Sequence, residues 1–185
     1  IISTRYIAAM ECSNILLGNN DINEEYLSFG KWKTLRTLNV VVIVNIKETY
    51  LGDNILSEFQ KIQTDFVNNH ATMHKDYLLK INEELANLFT TKHSEFPDIY
   101  RFTGTISQII LKADCYDGIA YPSVSTNGKT GMNVAIKPHI VDSSMELTNT
   151  LECLLRNNNE IEMKNVRHGH ACCEKIIWDT SIHYD

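Results

Sequence analysis

The stretch "YDGIAYPSVSTNGKTGMNVAIKP", from Tyr116 to Pro138, decides the fold class because turn-forming residues separate two apolar runs within it. The runs Ile119–Tyr121 and Met132–Ile136 are typical of β-strands, and the segment Pro122–Gly131 between them is typical of a loop. The pair Asn127-Gly128 lets the backbone turn tightly. The stretch therefore predicts a strand, a loop and a second strand.

Apolar spacing elsewhere predicts helices packed around a buried strand. The β-branched run "LNVVVIVNI", Leu38–Ile46, has the length and the two-sided apolar character of a central strand. In Tyr6–Gly18, apolar residues at every third or fourth position predict a helix that stops at Gly18, after a short strand at the start. The same spacing predicts two helices that meet near His70, and a further helix that begins near Pro97 and Asp98.

Beyond Met145 the pattern predicts β structure. "MELTNTLECLL" and "EIEMKNVRHGHAC" are joined by "RNNN", which is consistent with an antiparallel hairpin, and "KIIWD" predicts an edge strand. We expect one domain over residues 1–185, with residues 145–185 as a C-terminal β extension of unassigned role. The fold class expected is α/β (α+β), with a mixed, largely antiparallel twisted sheet and packed helices.

Composition limits the classes of function. The formal net charge of −6 and the pI near 5.6 argue against a nucleic-acid platform, which needs a concentrated basic surface. No apolar run approaches the ~20 residues that span a bilayer. The five cysteines are odd in number and scattered, which favours a reducing cytoplasm over a disulfide framework, and no targeting leader is expected. The oligomeric state stays open, a homo-oligomer included.

A longer window, "YRFTGTISQIILKADCYDGIAYPSVSTNGKTGMNVAIKP", resembles the carboxy-terminal half of the RES domain. That family has an aromatic-led helix with a Thr or Gln, then a DGI-x-Y-x-S strand and an Asn-led apolar strand. The match covers roughly Phe96 to Asp142, and outside it the likeness is loose. Well-studied RES domains are bacterial toxins that destroy NAD by hydrolysis or phosphorolysis, on a fold similar to ADP-ribosyltransferases. The resemblance thus implies NAD as the substrate, no other cofactor, and an antitoxin protein as partner.

Family residues are carried over position by position. The family Ser falls on Ser123 in "YPS", and the family Tyr falls on Tyr6. The family Glu falls on Glu11, although a shifted alignment puts Leu17 there instead. The family Arg lies further upstream than this chain supplies, so it is either lost with a missing start, together with the first strand or strands, or absent. Arg5 is close to Tyr6 and is the substitute that remains.

The resemblance implies a role for each residue type. Cleavage of the nicotinamide–ribose bond builds positive charge on the ribose, which a carboxylate such as Glu11 stabilises. An Arg clamps the pyrophosphate, a Tyr stacks on the nicotinamide ring, and a Ser at a strand-to-loop junction donates to a ribose. The expected catalytic residues are Ser123 and Glu11, and the expected NAD-binding residues are Tyr6, Arg5, Ser125 and Asn133.

Three alternatives stand beside this hypothesis. Asp117-Gly118 can be a tight turn into a buried strand, with Ser123 and Ser125 bonding loop N–H groups. The chain can also be a RES-like module that has lost its Arg and now serves in binding or interaction.

The third alternative is a metal-dependent hydrolase. On an extended strand His168, His170 and Cys172 share one face, which favours chelation. These residues lack the two-residue gap between neighbouring ligands and the distant second pair of ligands that are usual in zinc sites. A polar strand face is therefore the favoured interpretation. His70 and His74 are spaced one helical turn apart, but no Glu follows the first His, and a solvated helix face is expected there.

Overall fold

A computed structural model describes residues 4–19, 21–50, 52–70, 74–92, 97–158, 160–172 and 175–179. Within them the elements are, in chain order, α1 (Thr4–Cys12), β1 (Glu24–Thr34), β2 (Val40–Val42), α2 (Asn54–His70), α3 (Lys75–Thr90), α4 (Ile99–Leu111), β3 (Gly118–Pro122), β4 (Met132–Ile136), α5 (Pro138–Ser144), β5 (Met145–Asn158), β6 (Glu160–Cys172) and β7 (Lys175–Trp178).

The elements form two compact units, where the sequence predicts a single domain with one sheet. The first unit is Leu38–Pro138, and the second consists of Ile2–Thr37 and His139–Asp185. The first unit has a sheet of order β2-β3-β4, in which β2 is parallel and β4 antiparallel to β3. The second unit has an antiparallel sheet of order β1-β5-β6-β7. The predicted mixture of helices with mixed and antiparallel pairing is confirmed.

The strand β3, rather than the β-branched run before it, is central in the sheet of the first unit. The run Leu38–Ile46 forms ladder pairs over Val40–Val42 at the sheet edge, so its predicted central place is wrong. Ile43 and Val44 leave the strand but stay buried, each in its own apolar cluster against α2 or α3. The apolar run therefore indicates which residues are buried, but it does not indicate how many of them pair in the sheet.

The helices predicted for this unit are confirmed. The helix α2 ends at His70, as expected, and Asp98 precedes the first residue of α4. His74 precedes α3, so the two histidines do not lie on one helix. The strand–loop–strand prediction is also confirmed, because β3 and β4 flank the segment from Pro122 to Gly131.

In the second unit, α1 packs on one face of the antiparallel sheet. Ala9 of this helix and Ile15 of the turn after it are buried against Leu27 of β1 and Leu155 of β5. A helix before Gly18 is confirmed, but it ends at Cys12 rather than at Gly18, which lies in the turn that follows and has a left-handed φ of 90°. The first three residues, where a strand was expected to begin, lie outside the described part.

The predicted hairpin of β5 and β6 and the edge strand β7 are confirmed. The C-terminal strands do not form a sheet of their own, because β5 pairs along its length with β1 from the N-terminal part. Neither β1 nor the short helix α5 was predicted. The residues after Met145 are thus an integral part of the second unit.

A carboxylate fixes the turn that joins α1 to this sheet. Glu25 accepts hydrogen bonds from the Ser13 hydroxyl at 2.7 Å, from the Asn14 side chain at 2.9 Å and from the Asn14 backbone N–H at 3.2 Å. Burial by itself raises the pKa of the Glu25 carboxyl, but these bonds outweigh burial and the pKa lies below its ordinary value. Glu25, in the acidic stretch "INEEY", is therefore a structural anion.

Among the described helices, none combines the length and the apolar character that crossing a bilayer requires.

Candidate functional site

The loop between β3 and β4 places Ser123 at a strand-to-loop junction, as predicted, but with its side chain inside the protein. Ser123 is 0% exposed, and its hydroxyl shares a hydrogen bond of 2.8 Å with the hydroxyl of Ser125. Its backbone N–H donates to the Gly131 carbonyl at 3.0 Å, and its carbonyl accepts from the Gly128 N–H at 2.9 Å. In this conformation Ser123 stabilises the loop through hydrogen bonds inside the protein.

Left-handed backbone at the loop tip confirms the predicted tight turn. Asn127 has a φ of 53° and Gly128 a φ of 74°. Residues other than Gly and Asn rarely adopt such angles. The Asn-Gly pair is therefore required by the turn itself, and no ligand is needed to explain it.

A single carboxylate holds this loop to the start of α2. Asp53 accepts from the Leu56 N–H at 3.0 Å, capping the helix, and from the Gly131 N–H at 2.7 Å and the Thr130 hydroxyl at 3.3 Å. Burial favours the neutral form and raises the pKa of Asp53, but the hydrogen bonds prevail and the pKa lies below its ordinary value. Asp53, which the sequence analysis did not single out, thus couples two segments far apart in the chain.

We expect Asp53→Asn to lower the free energy of unfolding of the first unit by about 1 kcal/mol at pH 7, since the amide keeps an oxygen that can cap α2 but loses the charge and the second acceptor oxygen that holds the loop. The folded pKa is depressed, so ionised Asp53 stabilises fully above the unfolded pKa of about 3.9, and this contribution is lost as the pH falls towards the folded pKa. Urea titrations of both proteins between pH 7 and pH 3 should therefore converge at the acidic end.

Asp65→Asn is the matched control, because Asp65 lies exposed on the same helix. A stability difference between wild type and Asp53→Asn that stays constant from pH 7 to pH 3 would contradict the anchoring role.

Residues of the RES-like window meet at a cavity of about 260 Å³ in the first unit, which we call the α3–α4 cavity. Tyr100 and Thr103 reach it from α4 and Tyr121 from β3. The ring of Tyr121 packs against Phe89 of α3 at 5.3 Å between centroids, with the planes 59° apart. The described residues that line the cavity are Leu88, Phe89, Thr91, Ile99, Tyr100, Thr103, Gly104, Ser107, Tyr121, Val124 and Ala135.

The predicted NAD site divides between the two units. Ser123, Ser125 and Asn133 belong to the first unit, where Asn133 pairs with Tyr121 in the β3–β4 ladder. Arg5, Tyr6 and Glu11 all lie on α1 in the second unit. The structure thus brings Ser123 and Ser125 into contact in the first unit. The other three predicted residues lie together on α1 in the second unit.

His168, His170 and Cys172 lie at alternate positions of β6, as expected, and all three are exposed. In the part of the chain that the structure describes, no three His, Cys, Asp or Glu side chains are grouped so as to hold a metal ion. Cys173 lies outside that part. Cys153 is buried on β5, and burial raises the pKa of its thiol while the charge of Arg5 opposes the change.

A larger cavity, of about 730 Å³, lies wholly within the second unit between α1 and the sheet, and we call it the α1–sheet cavity. Arg5 and His168, which were predicted to serve two different functions, both line this one cavity. Lys31 was not predicted as a site residue, because the strand β1 that carries it was not predicted. The described residues that line the cavity are Arg5, Ala8, Phe29, Gly30, Lys31, Trp32, Asn149, Thr150, Leu151 and His168.

A scan against models of known protein families gives no match for this chain, and searches of curated proteins and of solved structures give none either.

Proposed function

We propose that the chain is a RES-like, NAD-binding protein that holds the nicotinamide end of the dinucleotide in the α3–α4 cavity. One observation carries this proposal: Tyr100 and Thr103 of the helix motif and Tyr121 of the strand motif in the RES-like window line the same cavity. The order of helix, strand, loop and strand in that window also agrees with the resemblance. The finer, ADP-ribosyltransferase-like fold is part of the same proposal.

The size and chemistry of the cavity favour a single ring over a whole dinucleotide. Ligand sites for complete drug-sized molecules occupy about 300–1,000 Å³, and 260 Å³ falls below that range. Tyr100 and Tyr121 offer aromatic surface on which a flat ring can stack. The hydroxyl of Thr103 donates to the Ile99 carbonyl at 3.0 Å, which leaves its oxygen able to accept a bond from a carboxamide.

Binding is better supported than cleavage. The glycosidic bond of NAD breaks with positive charge developing on the ribose, which an enzyme stabilises with a carboxylate. None of the described residues that line the α3–α4 cavity is acidic. Ser123 is buried, and in this proposal it sets the shape of the loop rather than contacting the ribose. The RES-like binding module is therefore the leading form of the proposal.

Consumption of NAD by a glycohydrolase or phosphorylase, with an antitoxin that restrains it, is the second form. It draws its support from the resemblance, and Ser123 and Glu11 are its catalytic residues.

The test is calorimetric titration of the purified chain with NAD and with nicotinamide, followed by incubation with NAD, with and without phosphate, to measure nicotinamide release. We expect both ligands to bind. In Gly104→Leu the added side chain extends from a position with no atom within 4 Å of a Cβ, so it should fold and fill the cavity. We expect this variant to bind both ligands about tenfold more weakly or worse.

Gly104→Ala is the control, since a single methyl group leaves most of the cavity free. Binding that Gly104→Leu leaves unchanged, or the absence of any binding to the wild type, would reject the proposal. Binding without nicotinamide release supports the module, whereas release supports the enzyme. Ser123→Ala should then bind NAD as the wild type does, because its hydroxyl faces Ser125.

A further inference from the structure

We propose that the second unit binds a small organic phosphate, with a flat apolar part attached, in the α1–sheet cavity. This inference is independent of the proposal for NAD, since every residue that lines the α1–sheet cavity belongs to the second unit and none lines the α3–α4 cavity.

The cavity exists because α1 is too short to cover its sheet. Nine helical residues extend over about 13 Å, whereas the eleven residues of β1 extend over about 37 Å. The helix and the turn after it bury the sheet at Leu27 and Leu155. The same face continues beyond the helix towards the C-terminal end of β1, and the cavity occupies that continuation.

The strand register places the lining side chains in two rows on this face. Directly paired residues of antiparallel strands point to the same side of a sheet. Phe29 pairs with Leu151, which pairs in turn with His168 on β6. In the next row Lys31 pairs with Asn149. The floor is therefore apolar at Phe29 and Leu151 and is bordered by groups that can donate hydrogen bonds.

Positive charge converges on this floor without a matching anion. Arg5 projects from the first turn of α1, and its Nη1 donates to Oδ1 of Asn165 at 3.0 Å, which holds the guanidinium over β6. Lys31 borders the cavity on β1 and His168 on β6. No described lining residue is acidic, and within the described residues neither Arg5 nor Lys31 forms an ion pair with a carboxylate. An anion in this cavity therefore meets the cationic side chains of Arg5 and Lys31 with no competing carboxylate among the described lining residues.

The donors and the volume define the ligand class. A guanidinium offers a planar pair of donors that matches a phosphate, and a nearby ammonium adds a compact charge. Inorganic phosphate alone is far smaller than the 730 Å³ available, which lies within the range of small-molecule sites. Phe29, Leu151 and Trp32 supply the apolar surface for the remainder of the ligand. A long polyanion is disfavoured, because the chain carries a net charge of −6.

The test is calorimetric titration of the whole chain with phenyl phosphate, inorganic phosphate and phenol. We expect phenyl phosphate to bind more tightly than either of the other two, and its binding to weaken as salt is added. Lys31→Gln should weaken it by about tenfold or more, since a charged hydrogen bond is lost. Lys33→Gln is the matched control, because Lys33 lies two residues away on the same strand but does not line the cavity.

Arg5→Lys keeps the charge but removes the paired donors, and it should also weaken binding. Equal effects of Lys31→Gln and Lys33→Gln, equal affinity for phenyl phosphate and inorganic phosphate, or no binding at all would overturn the proposal. Gly104→Leu should leave phenyl phosphate binding intact, so a failure of this site and a failure of the NAD proposal give different results.

Discussion

Leu155→Ala should lower the free energy of unfolding of the second unit by about 3 kcal/mol, the central range for a fully buried leucine. Leu155 is 0% exposed at the middle of the cluster formed by Ala9, Ile15 and Leu27. The truncation removes apolar contacts with Ala9 and Ile15 on the helix side and with Leu27 on the strand side, and it leaves a cavity that the surrounding structure fills only in part. This leucine therefore holds α1 on the sheet.

Urea unfolding followed by tryptophan fluorescence measures this effect specifically, because both tryptophans of the chain, Trp32 and Trp178, lie in the second unit. Leu17→Ala is the control, since Leu17 belongs to the same unit and is 65% exposed. It should change stability by less than about 0.5 kcal/mol. Similar losses for the two variants would show that the cluster around Leu155 is not the core of this unit.

Gly118→Ala should destabilise the first unit by about 2–3 kcal/mol, at the upper end of the cost of inserting a methyl group into a packed site. Gly118 begins the central strand β3 and pairs with Val40 on one side and Ile136 on the other. A Cβ at this position would meet the carbonyl oxygen of Ala135, with the Cα of Ile136 at 3.2 Å. Both are backbone atoms, so relief requires the ladder to shift.

The matched control is Gly104→Ala, in which the new Cβ has no atom within 4 Å and lies in a helix interior. Here we expect a gain of about 0.5–1 kcal/mol, because alanine loses less conformational freedom in a helix than glycine does. Far-UV circular dichroism during urea unfolding measures both variants. If Gly118→Ala is as stable as the wild type, the close approach of β4 to β3 is not as described.

Local signals explain the elements that the sequence predicted. The loop between β3 and β4 carries Pro122, which fixes its own φ, and an Asn-Gly pair and Gly131, which readily adopt the positive φ that the turn uses. The helix α4 has a strong apolar stripe behind Pro97 and Asp98. Where residue type restricts the backbone directly, the prediction needs no tertiary information.

The missed elements lacked such signals. In β1 the alternation of Leu27 and Phe29 was present, but Gly30 and the flanking charges made the stretch resemble surface loop. Aromatic residues at Tyr26 and Trp32 were the signal that could have revealed the strand. The helix α5 spans seven residues, too few for a periodic pattern to emerge.

The candidate sites depend on tertiary register, which one sequence does not carry. Lys31 and His168 are far apart in the chain, and the pairing of β1 with β5 and of β5 with β6 brings them to one cavity, which Arg5 reaches because α1 packs on the same sheet. The hairpin itself was predictable, but the residue that faces each position across it was not. Likewise, the position of Ser123 was predicted, whereas its burial follows from packing.

The interleaving of the two units along the chain has an evolutionary consequence. The strands that open and close the first unit, β2 and β4, flank the same residue, Gly118, so the entry and exit of that unit are about two strand spacings, or roughly 10 Å, apart. In the second unit Thr34 and Met145, on either side of the interruption, are directly paired. Neighbouring ends of this kind allow one domain to be inserted into a loop of another. A short linker in place of residues 38–138 would leave β1 and β5 as a hairpin whose connection contains α5, the arrangement expected of an ancestor that lacked the insert.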